Sequence, residues 1–173
     1  MLAIREATEA DAGALRQLRL RALREEPQAF GRAYDEALQQ SAEEAREQLL
    51  RTIASPDDVT FVADDGTQLL GMVGFLRERG IKFRHKGNIW GMYVVSEARG
   101  KHIGRALLGA AIRHARSLPD METVLLGVIT VNEAARGLYH AVGFEPYAVE
   151  PRAMRVEGRY YDEEFMLLRL NWP

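Results

Sequence analysis

An apolar strand that runs through a basic, glycine-bearing turn into an amphipathic helix constrains this chain more than any other feature. The stretch reads VVSEARGKHIGRALL and spans residues 94–108. The start of a helix exposes about four unpaired backbone N–H groups and about half a positive charge. Two glycines leave that backbone accessible, and four basic side chains surround it. These residues are Arg99, Gly100, Lys101, His102, Gly104 and Arg105. The pattern predicts an anion-binding turn of the kind that holds phosphate groups.

Length, charge and cysteine content narrow the class of protein. A chain of 173 residues is long enough for one buried core and too short for two ordinary domains, so we expect a single domain over residues 1–173. The 23 basic and 25 acidic residues give a formal charge of −2, which argues against nucleic acid or an anionic membrane as a partner. The absence of cysteine excludes a disulfide framework, a thiolate zinc site and a cysteine nucleophile.

The sequence shows no pattern for a membrane span or for a metal site. Charged residues follow within the first few positions, and no apolar run approaches the ~20 residues that a membrane span requires. We therefore expect a cytoplasmic protein that does not enter the membrane. The histidines, aspartates and glutamates do not show metal-ligand spacing, so we expect no bound metal.

Alternation and helical periodicity predict an α+β fold, loosely α/β, with helices on both faces of a mixed sheet. Helices are expected over 10–25, 41–53, 102–117 and 132–142. Strands are expected over 2–7, 57–63, 68–77, 88–95 and 123–129, followed by two strands within 144–170. Gly91 inside the fourth strand indicates a bulge. Open sheets bind ligands at the carboxyl ends of strands where the topology splits, which places the site at residues 94–104.

Three segments carry a family resemblance that covers nearly the whole chain. In the turn, Arg99 and Gly104 match the pattern of Gln/Arg, two residues, Gly, one residue, Gly/Ala, with His102 in place of the first glycine. The strand over 124–129 follows, and then an asparagine, a helix carrying Tyr139 and a Gly-Phe pair. In this order they resemble the GNAT superfamily of acyl-CoA N-acyltransferases.

The resemblance implies a mostly antiparallel sheet of six to seven strands, splayed between its two central strands, and acetyl-CoA as the cosubstrate. It also implies a small-molecule or peptide amine as acceptor, and a possible homodimer formed through the last strands. The residues expected to bind acetyl-CoA are Met92, Tyr93, Val94, Arg99, Gly100, Lys101, His102, Ile103, Gly104, Arg105, Asn132 and Ala135.

Direct transfer of an acetyl group to an amine needs a neutral amine, a stabilised thioester oxygen and a proton for the departing thiolate. Tyr139 is the candidate catalytic acid, because a tyrosine has a pKa of about 10 and a thiol one of about 8.5. A backbone N–H within residues 92–94 is expected to hold the oxygen. The strand over 88–95 has no carboxylate, so the base is open: a water chain ending at Glu78, His85, Glu97 or a carboxylate within 162–164.

His102 leaves two possibilities open. If the backbone there has a positive φ, a Cβ destabilises the turn by about 1 kcal/mol. If the backbone is an ordinary first helical turn, the imidazole is harmless and its charged form helps to hold phosphate.

The acceptor and the activity itself also remain open at this point. Candidate acceptor-binding residues are Phe30, Tyr34, Trp90 and Tyr161, while acidic residues near the expected mouth favour a cationic acceptor. An acyl-CoA-binding or sensing domain that has lost catalysis is the alternative to an N-acetyltransferase.

Overall fold

A computed structural model describes residues 2–172. Its helices are α1 (Ala12–Glu25), α2 (Tyr34–Gln39), α3 (Ala42–Ala54), α4 (Ile103–Ser117) and α5 (Glu133–Ala141). Its strands are β1 (Ala3–Glu6), β2 (Val59–Asp64), β3 (Leu69–Arg77), β4 (Lys86–Val94), β5 (Thr123–Ile129), β6 (Glu145–Val156) and β7 (Arg159–Arg169). The elements predicted from the sequence are all present, and α2 is an additional short helix in a stretch for which no helix was predicted.

The seven described strands form one sheet in the order β1-β2-β3-β4-β5-β7-β6. Neighbouring strands are antiparallel except for β4 and β5, which are parallel. Their pairing extends only from Lys86 opposite Thr123 to Asn88 opposite Leu125. Beyond that point the two strands diverge, so the predicted splay between the central strands is confirmed.

Helices cover both faces of the sheet, as predicted. On one face, the ring of Phe75 in β3 lies 5.6 Å from the ring of His114 in α4. On the other face, Val62 in β2 packs with Leu49 in α3. The largest fully buried side chains come from strands and helices on both sides, and they include Leu23, Val62, Phe75, Leu107, Val124 and Met166.

A bulge interrupts β4 near its end, beyond the residues that pair with β5. Gly91 has φ +62°, and the pairing of β3 with β4 shifts register between Met72 and Gly74. A positive φ favours glycine because it has no Cβ to clash with the backbone. The bulge that Gly91 predicts is therefore present, and it changes the course of β4 just before Met92.

No helix within residues 2–172 is long and apolar enough to cross a membrane.

Candidate functional site

A slot of about 460 Å³ opens where β4 and β5 diverge. Residues 92–94 of β4 and 127–129 of β5 form its two sides. The first turn of α4 and the helix α5 line it from one face of the sheet, and Ala29 and Phe30 line it from the segment after α1. The slot is thus a gap in the sheet that is bordered by chain segments on both faces.

The turn at the entrance of α4, which the sequence predicts to bind an anion, lies with its backbone at the slot. Gly104 lies where a Cβ would come within 3.2 Å of Met92 Cε and 3.3 Å of Leu138 Cδ2. A larger residue at this position would therefore narrow the slot. Gly100, His102, Ile103 and Arg105 also line it, whereas Lys101 is exposed and does not.

Arg99 braces the turn instead of pointing freely into solvent. Its Nε donates to the carbonyl oxygen of Val94 at 3.1 Å, and its Nη1 donates to Glu26 at 2.9 Å. These bonds connect the turn to the end of β4 and to the residue that follows α1. Arg105, another of the basic residues predicted to surround an anion, lines the slot and forms no hydrogen bond or ion pair within residues 2–172.

His102 is the N-cap of α4 and has φ +60° and ψ +11°. The first of the two possibilities left open by the sequence is therefore correct: a non-glycine residue occupies a left-handed backbone conformation. Because its side chain is exposed, contacts do little to offset the strain.

We expect His102→Gly to raise the free energy of unfolding by about 1 kcal/mol, because the Cβ penalty disappears. For a chain of this size that corresponds to a rise of about 2–4 °C in Tm. Ala106→Gly, at an exposed position in the same helix, is the matched control and should lower stability by about 1 kcal/mol. An unchanged or lower Tm for His102→Gly would show that the turn is not strained.

Asn132 and Tyr139 belong to the wall formed by α5. The Oδ1 atom of Asn132 accepts a hydrogen bond from the backbone N–H of Ala135 at 3.1 Å and so caps the helix. Tyr139 is only 6% exposed and packs against Phe144 at a ring distance of 6.0 Å. Burial raises the pKa of Tyr139 to about 12, so its hydroxyl keeps its proton across the neutral range.

Tyr93 supports the opposite side of the slot. Its hydroxyl donates to Glu25 Oε2 at 2.6 Å, and its ring meets the ring of Phe30 edge-on at 6.5 Å. Burial, followed by the hydrogen bond to Glu25, raises the pKa of Tyr93 to about 12. The side chain is thereby fixed to α1, which leaves the backbone of β4 as the part of Tyr93 that can serve a ligand.

Most carboxylates named as candidate bases already have partners. Glu78 accepts from Asn88 at 2.6 Å, and Glu97 forms an ion pair with Arg21 at 2.6 Å. Glu164 binds Arg136 through both of its oxygens at 3.0 Å, and Asp162 accepts from the backbone N–H of Arg152 at 2.8 Å. These four are held by structural interactions.

Glu163 differs from those carboxylates. It lies on β7 directly over Gly127, where its Oε1 occupies the space that a Cβ of residue 127 would need. Gly127 in turn lines the slot. Burial, and then the charge of Glu150, raise the pKa of Glu163 above its ordinary value. A carboxyl of raised pKa is a stronger base than an ordinary carboxylate, which suits Glu163, beside the slot, to accept a proton.

The aromatic residues expected to bind the acceptor are dispersed. Phe30 lines the slot. Tyr34 packs against the cluster of Leu20, Leu23 and Ala37. Trp90 lines a separate cavity, and Tyr161 lies on β7 with the guanidinium of Arg159 5.3 Å from its ring centre. Within residues 2–172, no group of three or more metal-binding side chains occurs.

Comparison with known proteins places this geometry in a family. The model of the acetyltransferase (GNAT) family matches residues 19–144. The chain belongs to the GNAT acetyltransferase family. The GNAT chain has the fold of yncA from Salmonella typhimurium, whose structure holds acetyl-CoA. The TM-score is 0.87 at 24% identity, with 100% of this chain and 96% of that chain covered.

Two curated relatives share part of the GNAT chain. The L-methionine sulfoximine/L-methionine sulfone acetyltransferase of Pseudomonas aeruginosa is 34% identical over 80 residues, which are 46% of this chain and 46% of that protein. The N-alpha-acetyltransferase RimI of Mycobacterium tuberculosis is 35% identical over 109 residues, 62% of this chain and 65% of that protein. The similarity thus spans about half to two thirds of these relatives.

Proposed function

We propose that the chain is an N-acetyltransferase that moves an acetyl group from acetyl-CoA to a primary amine by direct attack. The observation that carries the proposal is the slot through the sheet, with an anion cradle at one end and the protonated hydroxyl of Tyr139 in its wall. Family membership and the acetyl-CoA held by the similarly folded yncA support the same conclusion.

The residues of the slot fit acetyl-CoA, which supplies a reactive acyl thioester when bound. The backbone N–H groups of residues 100–105 and the side chain of Arg105 suit its phosphates. The small Gly104 keeps the path along α4 open, because a Cβ there would approach Met92 and Leu138. Backbone groups of residues 92–94, with Asn132 and Ala135 opposite, suit its extended amide arm and are the remaining proposed contacts.

The proposed step forms one C–N bond and breaks one C–S bond. A backbone N–H within residues 92–94 stabilises the negative charge that develops on the acyl oxygen. The attacking amine gives up one proton, which passes to Glu163 through water. The leaving sulfur takes up one proton, for which Tyr139 is the donor, so the products are the N-acetyl amine and free thiol.

Tyr139 acts mainly as a hydrogen-bond donor to the leaving sulfur. Full transfer from a phenol of pKa about 12 to a thiolate of pKa about 8.5 is unfavourable by about 5 kcal/mol. A hydrogen bond to a group that becomes charged strengthens as the charge grows, so Tyr139 favours the transition state over the bound substrate. Proton transfer then completes as solvent reaches the product.

The direct test is thiol release from acetyl-CoA in the presence of an amine panel of L-amino acids, polyamines and a peptide with a free N-terminus. We expect amine-dependent thiol release, with an N-acetyl product identified by mass. Binding of acetyl-CoA without thiol release by any amine would instead support the sensing domain.

A homodimer is part of the proposal, with the exposed edge of the sheet as the contact. β6 is the terminal strand of the sheet, and Tyr147 and Val149 on it are 54% and 55% exposed. Unprotected edges of this length promote pairing between chains. Sedimentation should give twice the mass of the 19.5 kDa chain; a single-chain mass at micromolar concentration would contradict the dimer.

A further inference from the structure

A second cavity lies beneath α1 and α3, outside the slot and on the face of the sheet opposite α4. Its volume is about 70 Å³. This volume accommodates a few water-sized groups and is far too small for a nucleotide. Apolar side chains of α1, α3 and β3 form much of the wall, and Arg16, Arg19 and Trp90 contribute polar groups.

Three hydrogen-bond donors of this cavity are buried without a protein partner. They are Nε of Arg16, Nη1 of Arg19 and Nε1 of Trp90, none of which meets an acceptor within residues 2–172. The guanidinium of Arg19 lies over the Trp90 ring at 5.3 Å, which orients both groups. A buried donor left unpaired destabilises a fold by about 1–3 kcal/mol, and a charged donor by more. Three unpaired donors in the wall of one cavity indicate an acceptor supplied from outside the chain.

The charge of the cavity indicates that this acceptor is an anion. Arg16 donates to the backbone carbonyl of Gln40 at 2.8 Å, and Arg32 donates to the side-chain oxygen of Gln40 at 3.0 Å. Burial, and then the nearby charge of Arg32, lower the pKa of Arg19. In the described part of the chain, no carboxylate oxygen lies within 4.0 Å of a nitrogen of these three arginines. The charges of Arg16 and Arg19 are therefore not neutralised by an ion pair, whereas Arg32 also interacts with the charge of Glu44.

The cavity adjoins the slot along β4. Gly91 lines the cavity and the next residue, Met92, lines the slot. A Cβ at Gly91 would lie 3.3 Å from Arg19 Nη1, so the arginine reaches the strand at the bulge. One residue of a strand spans about 3.3 Å. An α-amino acid carries its amine and its carboxylate on one carbon, so a ligand of this kind suits two adjoining spaces.

We propose that the cavity binds the carboxylate of the acceptor, so that the acceptor is an α-amino acid whose amine reaches the slot. Arg19 and Trp90 donate to the carboxylate, with Arg16 behind them. The inference rests on the proposed function and names its substrate class. It differs from the cationic acceptor that the sequence favoured on Glu145, Glu150, Glu157 and residues 162–164. The first three are exposed, so solvent screens their charges. Asp162 and Glu164 already accept hydrogen bonds from Arg152 and Arg136, and Glu163 is the proposed base.

Thiol release with each L-amino acid and with its α-amide tests the inference. The amide keeps the side chain and replaces the anionic group by a neutral one. It also makes the α-amine less basic, which increases the fraction of neutral amine, so a preference for the amino acid reports recognition of the carboxylate. We expect at least one amino acid to exceed its amide at least tenfold in kcat/KM, since hydrogen bonds to charged groups discriminate by about that factor. Equal or better turnover of every amide would overturn the inference.

Arg19→Met is the matching variant, and Arg24→Met on the exposed side of α1 is its control. Arg19→Met should raise KM for the best amino acid about 10- to 100-fold and leave kcat within about twofold. The same amino acid should raise the Tm of the unmodified chain and of Arg24→Met but not of Arg19→Met. Trp90→Phe removes the Nε1 donor together with part of the ring, keeps an aromatic face for Arg19, and should show a smaller rise in KM. An unchanged KM in both Arg19→Met and Trp90→Phe would overturn the inference and leave a water-filled cavity.

The design separates failure of the inference from failure of the proposed function. If acetyl-CoA raises Tm and only amines without a carboxylate are acetylated, the enzyme is an N-acetyltransferase and the carboxylate site is wrong. If acetyl-CoA gives no shift and no amine releases thiol, the proposed function is itself wrong.

Discussion

Replacing Tyr139 by phenylalanine should lower kcat about 100-fold while leaving KM for acetyl-CoA nearly unchanged. The magnitude is that of a general acid or strong hydrogen-bond donor lost from a transition state. KM should hold because the ring, which packs against Phe144 and fills the slot wall, stays in place. A hydrogen bond that forms only as charge develops on sulfur contributes to kcat and not to binding.

Stability measurements distinguish this chemical effect from damage to the fold. The Tyr139 hydroxyl makes no hydrogen bond to the residues that the structure describes, so its removal should leave Tm unchanged or slightly higher. Tyr160→Phe, at an exposed position on β7, is the matched control and should keep full activity. Full turnover in Tyr139→Phe would exclude Tyr139 as the donor.

Replacing Glu163 by glutamine should lower kcat/KM about 100-fold at neutral pH and make its fall at acidic pH less steep. In the unmodified chain the carboxyl must be ionised to accept a proton, so activity should fall as pH drops through the raised pKa of Glu163. Glutamine cannot ionise, so only the fall caused by protonation of the free amine remains. Rate profiles over pH should be compared with those of Glu157→Gln, which lies in the exposed turn of the same hairpin.

The Glu163→Gln substitution should raise the stability of the fold although it lowers activity. A carboxyl whose folded pKa is raised binds more protons in the folded than in the unfolded state, so ionising it destabilises the fold. The penalty is absent below the unfolded pKa of about 4.3 and is complete above the raised folded value. Glu163→Gln should therefore have a higher Tm than the unmodified chain at neutral pH and an equal one in acid. An unchanged acidic limb in Glu163→Gln would assign the base elsewhere.

Patterns within short segments of the sequence predicted the turns and helix ends around the site. Ser41 and Glu44 form the capping box expected at α3, and the Gly91 bulge and the turn before α4 lie where the sequence indicated. These features depend on residues close in sequence. The family resemblance identified the splayed strands, although periodicity alone does not reveal that β4 and β5 part after Asn88.

Contacts between distant segments could not be predicted in the same way. Glu163 was one of several candidate carboxylates, and its position over Gly127 depends on the pairing of β5 with β7. Likewise, Glu25 holds Tyr93 across 68 positions, and Arg19 meets Trp90 only once α1 packs on the sheet. Because the members of each pair are far apart in the sequence, no spacing pattern predicts that they meet.

Thermal unfolding with and without acetyl-CoA tests the central claim most directly. Ligand at 100 times its Kd adds about 2.7 kcal/mol, which should raise Tm by about 5–11 °C. ATP and NAD serve as controls for general binding of phosphate. Gly104→Val should lose the shift while unfolding cooperatively, because its side chain would fill the slot between Met92 and Leu138. A shift with acetyl-CoA but not with ATP or NAD is the predicted result, whereas no shift with acetyl-CoA would contradict the assignment of the slot.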